Sequence, residues 1–325
     1  MDFKILGPVS VRSNGRFRSI SAHRQRKILA AMLVDPNRPV STSQLVEVLW
    51  GEEPPLTAVQ QVQNCVGALR RYLSETAVEA ELTRISSSYF LELSVEQIDA
   101  VRFRQLCTDV RACARRGDLK EASQTARRAL DLWSGEALED VGSDALAPAV
   151  TRLEELRIGL VEEYSQIELA RGNNAGVVVE LSGWVTRHPY HEILHGQLAL
   201  AMHHMGRTAE ALDVLQGLQS RLRTELGIET GAFVKKVHRG LLDSHEGVGS
   251  HSGELIVAAE ALNLLLSALE QLRFVAELLT SPGSLHRLGG PPVGAIVAPR
   301  PMVGELSTVA GRATRVAGGT AERAV

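Results

Sequence analysis

The chain has 325 residues, 44% of them hydrophobic, with a formal net charge of −3, which excludes disorder throughout and leaves room for two folded domains with separate cores. The small net charge conceals a basic start: residues 1–74 carry ten Lys or Arg against five Asp or Glu, enough for a local surface that can meet a phosphate backbone. Cys65, Cys107 and Cys113 form no CxxC pair, MDFKILGPVSVRSNG lacks a charged leader ahead of a long apolar run, and nothing approaches the roughly 20 apolar residues of a membrane span. A reducing, cytoplasmic setting without membrane insertion is therefore expected.

Residues 2–20 alternate apolar and polar in short bursts around Asn14-Gly15, the dipeptide that tolerates the positive backbone angles of a tight hairpin. Ser21 is placed to cap a helix over about 22–34, Pro36 and Pro39 break the chain, and Ser43 is placed to cap the short helix QLVEVLW ending at Gly51. After Pro54-Pro55, the run 58–74 sets Val59, Val62, Val66, Leu69 and Leu73 at steps of three and four, the apolar face of a third helix. LTRIS and YFLEL then read as a hairpin joined around Ser87-Ser88. Sheet, three helices and hairpin in that order make a winged helix-turn-helix over 1–95.

The third helix has two unlike faces. Opposite its aliphatic stripe lie Gln60, Asn64, Gly67 and Arg71, flanked by Gln61, Gln63 and Arg70, and the helix contains neither Glu nor Lys. Gln and Asn make paired hydrogen bonds to adenine, Arg does so to guanine, and a glycine lets the backbone approach the groove wall, so Gln60, Asn64, Gly67 and Arg71 are the candidates for base readout. Candidate phosphate contacts are Arg24, Arg26 and Lys27 on the first helix, Gln61, Gln63 and Arg70 on the third, and Arg84, Ser86, Ser87, Ser88 and Tyr89 on the wing. The bland alternative is an ordinary solvated helix face, which usually carries Glu and Lys in plenty.

From 99 to 245 the pattern is helical and a signature recurs: RGDLKEA at 116–122, RGNNAGV at 171–177 and MGRTAEA at 205–211. Gly172 and Gly206 are 34 residues apart, the tetratricopeptide period, while Gly117 and Gly172 are 55 apart, as if the stretch containing LWSGEALEDVGSDALAPA were inserted. The expected architecture is thus mainly α with a small β component, a winged helix followed by an all-α tetratricopeptide-like solenoid. Residues 253–280 carry a heptad stripe that reads as one more helix, packed on the solenoid or pairing as a dimer coiled coil, and 281–325 reads as a disordered tail.

The run VSTSQLVEVLWGEEPPLTAVQQVQNCVGALRRYL resembles the OmpR-type winged helix of the Streptomyces antibiotic regulatory protein family, and LWSGEALEDV and RHPYHEILHGQLALAMHHMGRTAEALDVLQGLQSRLRTELGIETG resemble its bacterial transcriptional activation domain. The resemblance covers about residues 1–245. It implies an activator of a secondary-metabolite gene cluster whose protomers bind direct repeats in double-stranded promoter DNA and engage RNA polymerase through its sigma factor and other subunits. It also places the recognition helix on Ala58 to Ser74, the basic first-helix motif on Arg24 to Lys27 and the wing on Leu82 to Leu93. One departure is visible: the family's wing tip usually carries Pro-Gly before the tyrosine, where this chain has Ser87-Ser88. Larger relatives add an ATPase module, but no GxxxxGK[ST] loop occurs here and no cofactor is implied.

Two rival readings stand beside this one. The chain can be a repeat scaffold for protein partners whose winged helix no longer reads DNA. Alternatively, His191-Glu192-Ile193-Leu194-His195 fits HExxH, two zinc-binding histidines one turn apart with a glutamate base. That pentapeptide lies within the repeat region, with only His188, His203 and His204 nearby as a third ligand, so solenoid packing is its expected role and neither a metal site nor a catalytic group is assigned.

Overall fold

In the computed structural model, which describes residues 1–76 and 78–246, the chain opens with an antiparallel sheet of β1 (Phe3–Lys4), β2 (Ser10–Ser13) and β3 (Arg16–Ser19). Ser13 pairs with Arg16, so β2 and β3 are joined by the two-residue turn Asn14-Gly15. Both residues take positive φ, 52° and 77°, the geometry whose twist matches the flanking strands.

Three helices follow: α1 (His23–Val34), α2 (Thr42–Trp50) and α3 (Ala58–Ser74). Their caps differ from expectation. Ala22 occupies the N-cap of α1 and makes no side-chain cap, so Ser21 has no such role. At α2 the cap is Ser41, not Ser43: its hydroxyl accepts the Gln44 N–H while the Gln44 side chain accepts the Ser41 N–H. Ser41 is extended (φ −69°, ψ 154°), which lets its oxygen turn back onto the first turn, whereas Ser43 is already inside the helix.

The wing also holds more than a hairpin. Strands β5 (Ala80–Ile85) and β6 (Ser88–Leu93) are joined by β4 (Val40–Ser41), giving the order β4-β6-β5. Ile85 pairs with Ser88, so the turn residues are Ser86-Ser87, one position earlier than expected, with Ser86 at φ 54°.

The all-α region comprises α4 (Asp99–Arg115), α5 (Leu119–Leu130), α6 (Ala147–Ala170), α7 (Asn174–Arg187), α8 (Glu192–His204), α9 (Thr208–Glu225) and α10 (Ala232–Glu246). The recurring glycines explain their own signature. Gly117, Gly172 and Gly206 sit at φ 78°, 75° and 77°, just past α4, α6 and α8. In each case the following residue, Asp118, Asn173 or Arg207, donates its N–H to a carbonyl five residues back, that of Cys113, Glu168 or Met202. This is a Schellman turn, repeated three times, and glycine enters its left-handed position without the Cβ penalty. Asp118 and Asn173 then cap α5 and α7 through their side-chain oxygens.

The stretch between α5 and α6 returns to the winged helix and locks onto it. Ser134 N–H donates to Leu6 O at 2.9 Å, Leu138 N–H to Ile5 O at 3.0 Å, and the Ser143 hydroxyl to Val48 O at 2.8 Å. Asp140 accepts the Val9 N–H at 2.8 Å and pairs with Arg26 at 3.3 Å. From α4, fully buried Asp99 accepts the N–H groups of Ile5, Leu6 and Ala100 at 2.8–3.0 Å.

Packing follows these bonds. One core runs from Phe3 and Ile5 through Leu29, Leu69 and Leu91 to Phe103, Ala126 and Leu160, and a second gathers Val177, Trp184, Leu198, Leu215 and Leu241. The division between cores therefore falls along α6 rather than between the winged helix and the helices that follow it. The expected helix over 253–280 and the expected tail over 281–325 lie outside the described residues.

Candidate nucleic-acid interface

Helix α3 is anchored by Ala58, Val62, Val66, Leu69 and Leu73, all buried. Val59, expected in that stripe, is 53% exposed. At 100° per residue it lies roughly 60° from the centre of the stripe, and in the first turn no neighbouring element reaches over it.

Away from the stripe, Gln60, Asn64 and Arg71 are exposed and Gly67 is half-buried. Gln60 Nε2 donates to Asn64 Oδ1 at 3.3 Å, so two amides one turn apart already share an orientation. A Cβ at Gly67 would meet nothing within 4 Å, which leaves this part of the helix surface open. Among the described residues no hydrogen bond or ion pair holds the Arg71 guanidinium. The four residues expected to read bases thus share one accessible face.

The flanks are organised differently. On the α1 side, Arg24 Nη1 donates to Gln61 Oε1 at 2.7 Å, Gln61 Nε2 donates to Thr57 Oγ1 at 2.9 Å, and the Arg24 guanidinium lies 5.3 Å from the Trp50 ring centroid. Trp50 and Thr57 thereby fix a cation at the edge of α3, a role the sequence did not signal beyond a tryptophan ending a short helix. Burial pushes the thiol of nearby Cys65 above its ordinary range, with the Arg24 charge opposing.

On the wing side, Arg70 Nε donates to Leu82 O at 2.7 Å and Gln63 is half-buried beside the helix's exposed face. At the wing tip, Arg84 Nε donates to Ser86 O at 3.1 Å, and its guanidinium lies 6.0 Å from the Tyr89 ring centroid. Ser87 O accepts both the N–H and the hydroxyl of Thr42, at 2.9 and 2.8 Å, tying the wing to α2. Ser86 and Ser87 are exposed, and Ser88 is half-buried in its pairing with Ser41 and Ile85.

Two expected phosphate contacts lie elsewhere. Tyr89 is 3% exposed, because β6 is the central strand and alternation turns this ring into the core. Arg26 pairs with Asp140 and donates to Ile20 O at 3.0 Å and Ser19 Oγ at 3.2 Å, so it joins the winged helix to the α5–α6 connection instead. Lys27, half-buried on α1, is near the same edge as Arg24.

The HExxH groups are engaged in packing. His195 is 1% exposed; its Nδ1 lies 2.9 Å from His191 O and its Nε2 3.3 Å from Arg221 Nη2. Nδ1 is then the donor, and the Nε2 lone pair faces the Arg221 guanidinium, a cation standing where a metal ion would have to bind. His191 Nε2 meets Glu162 at 3.1 Å, and Glu192 accepts the Gly231 N–H at the start of α10. Burial lowers the basicity of His195, with the His191 carbonyl opposing.

Two family models, several relatives and a solved structure match the chain. Residues 20–88 match the family model "Transcriptional regulatory protein, C terminal", and residues 98–242 match "Bacterial transcriptional activator domain". Regulatory protein DnrI of Streptomyces peucetius is 31% identical over 267 residues, 80% of this chain and 98% of that one. Regulatory protein AfsR of Streptomyces coelicolor is 32% identical over 260 residues, 80% of this chain but 26% of that one. Among solved structures, Mycobacterium tuberculosis EmbR in complex with a low affinity phosphopeptide superposes with a TM-score of 0.70 at 27% identity, covering 81% of this chain and 70% of that one. With an OmpR-type winged helix, an activation domain and a relative matched along nearly its whole length, this chain belongs to the Streptomyces antibiotic regulatory protein family of transcriptional activators.

Proposed function

We propose that the chain activates a secondary-metabolite gene cluster by reading double-stranded promoter DNA with α3, residues 1–95 acting as the DNA-binding unit and 99–245 as the activation domain. The observation that carries the proposal is the accessible face of Gln60, Asn64, Gly67 and Arg71, whose amides and guanidinium match base edges of the major groove. Arg24, Lys27, Arg70, Arg84 and the Ser86-Ser87 tip flank it as phosphate contacts, which position the protein without carrying sequence information.

In this reading protomers occupy direct repeats about one helical turn apart, on one side of the duplex, and contact each other there while presenting the helical region to RNA polymerase and its sigma factor. The bonds from Asp99, Asp140 and Ser143 to the winged helix support it, since a rigid junction transmits the register on DNA to the polymerase-facing surface. The protein works in the cytoplasm, at the nucleoid.

The test is binding to upstream duplexes of the adjoining gene cluster. Arg71→Ala should cost about 1–3 kcal/mol and relax preference at one base pair, whereas Arg24→Ala should weaken all sequences alike and reduce the salt slope by about one. Unchanged affinity in both variants refutes this docking face.

A further inference from the structure

The most exposed large apolar side chain among the described residues stands at the head of the proposed reading face. Leu56 is fully exposed, at 107%, and Val59 follows at 53%. Ala58 N–H donates to Pro55 O at 2.9 Å, and Thr57 has near-helical backbone angles (φ −96°, ψ 14°), so Leu56 already sits on a turn that leads into α3. Leu56, Gln60 and Asn64 then follow one another at steps of four, and Leu56 and Val59 at a step of three: the apolar pair extends the polar row by one turn.

Nothing in the fold accounts for this pair. Neither side chain contributes to a core, yet Pro54-Pro55 restricts the backbone that presents Leu56, so its position is held at little entropic cost. The first turn of α3 contains no acidic residue, although the positive end of a helix favours one. An apolar tip, continuous with amides, with Arg24 held at the neighbouring Gln61 and free of carboxylates in the helix itself, suits a groove whose walls are anionic and whose floor carries methyl groups.

We infer that Leu56 and Val59 read thymine, covering its 5-methyl group in the major groove next to the base pairs read by Gln60 and Asn64. In helix-turn-helix docking the N-terminal residues of the recognition helix reach base edges, and apolar contact with the thymine methyl is a recognised mode of readout. This rests on the DNA-reading function proposed above and adds a specificity element to it. The competing occupant is a basic surface of the polymerase, which the adjacent exposed Glu52 and Glu53 would favour.

The experiment starts with a duplex selected from a random library by the full-length chain. Each thymine is replaced in turn by deoxyuridine, which removes one methyl group and keeps base pairing, and affinity is read by fluorescence anisotropy. At one or two positions uracil should weaken binding about fourfold, the equivalent of roughly 0.8 kcal/mol for one buried methyl-sized group. Leu56→Ala should bind the thymine and uracil duplexes equally, and Val59→Ala should diminish the difference. Since both side chains are exposed, the variants should retain the wild-type helical circular dichroism.

If no duplex is enriched, the DNA-reading function falls and takes this inference with it. If a duplex is enriched but no thymine is sensitive, or Leu56→Ala keeps the wild-type sensitivity, the inference alone is overturned. It is equally overturned if Leu56→Ala leaves DNA binding intact and lowers transcription in a purified polymerase assay, which would assign the tip to a protein partner.

Discussion

Replacing Asp99 tests whether the winged helix and the activation domain behave as one folded body. Its carboxylate is fully buried and accepts three backbone N–H groups, two of them from the β1 end at Ile5 and Leu6. Asp99→Ala leaves those donors without a partner, and removing the acceptor from a buried, charged network of this kind costs about 3–5 kcal/mol at neutral pH.

The pH dependence supplies a sharper number. Burial pushes the Asp99 carboxyl up from 3.8 to about 6, against the three N–H groups and the charge of Lys4. Because the folded form then holds its proton more readily than the unfolded chain, Asp99 stabilises most below pH 4, and that contribution falls as pH rises through 6. Urea unfolding of wild type and variant at pH 5 and pH 7.5 should therefore show a gap about 1.3 kcal/mol larger at pH 5. A gap that grows toward pH 7.5 would mean that the backbone donors outweigh burial and hold the carboxylate ionised, refuting the reasoning. A gap near zero at both values would refute the junction itself.

Gly67→Ala should separate folding from recognition. The added methyl meets nothing within 4 Å and raises helix propensity, so stability should rise by about 0.5–1 kcal/mol while affinity for the selected duplex falls. Equal or higher affinity would show that the backbone there does not approach DNA. His195→Ala should destabilise by about 2–4 kcal/mol through a cavity beside Arg221, with zinc content after dialysis the same in both proteins. As the basicity of His195 is lowered by burial, its neutral form stabilises above the unfolded value of 6.5, and this contribution should fade as pH drops below it.

Legibility in the sequence followed the range of the forces involved. The bounds of α3 were readable residue by residue, because an aliphatic stripe opposite uncharged amides reports both the period and the buried side. The Asn14-Gly15 hairpin and the three glycine turns were readable because each needs a backbone conformation that few residues tolerate. Two assignments of Ser caps failed: several serines precede the helices, and the choice between them depends on which one the chain leaves extended. Tyr89 and Arg26 looked like surface contacts on composition alone, yet one lies on the central strand of a sheet whose third member, β4, gave no sequence signal, and the other meets Asp140 from 114 residues away.

Local periodicity and turn chemistry alone determined the bounds of α3, its outward side and the polar residues along it, since these depend on neighbours within a few positions, while the family was legible only through the resemblance of long runs to its other members. Only the tertiary structure decided that Asp99, Asp140 and Ser143 clamp the winged helix, that a single core crosses into α6, and that Leu56 is left fully exposed ahead of the polar row of α3. Those outcomes depend on which distant donors, acceptors and apolar surfaces meet, and such pairings leave no mark at short range in a chain.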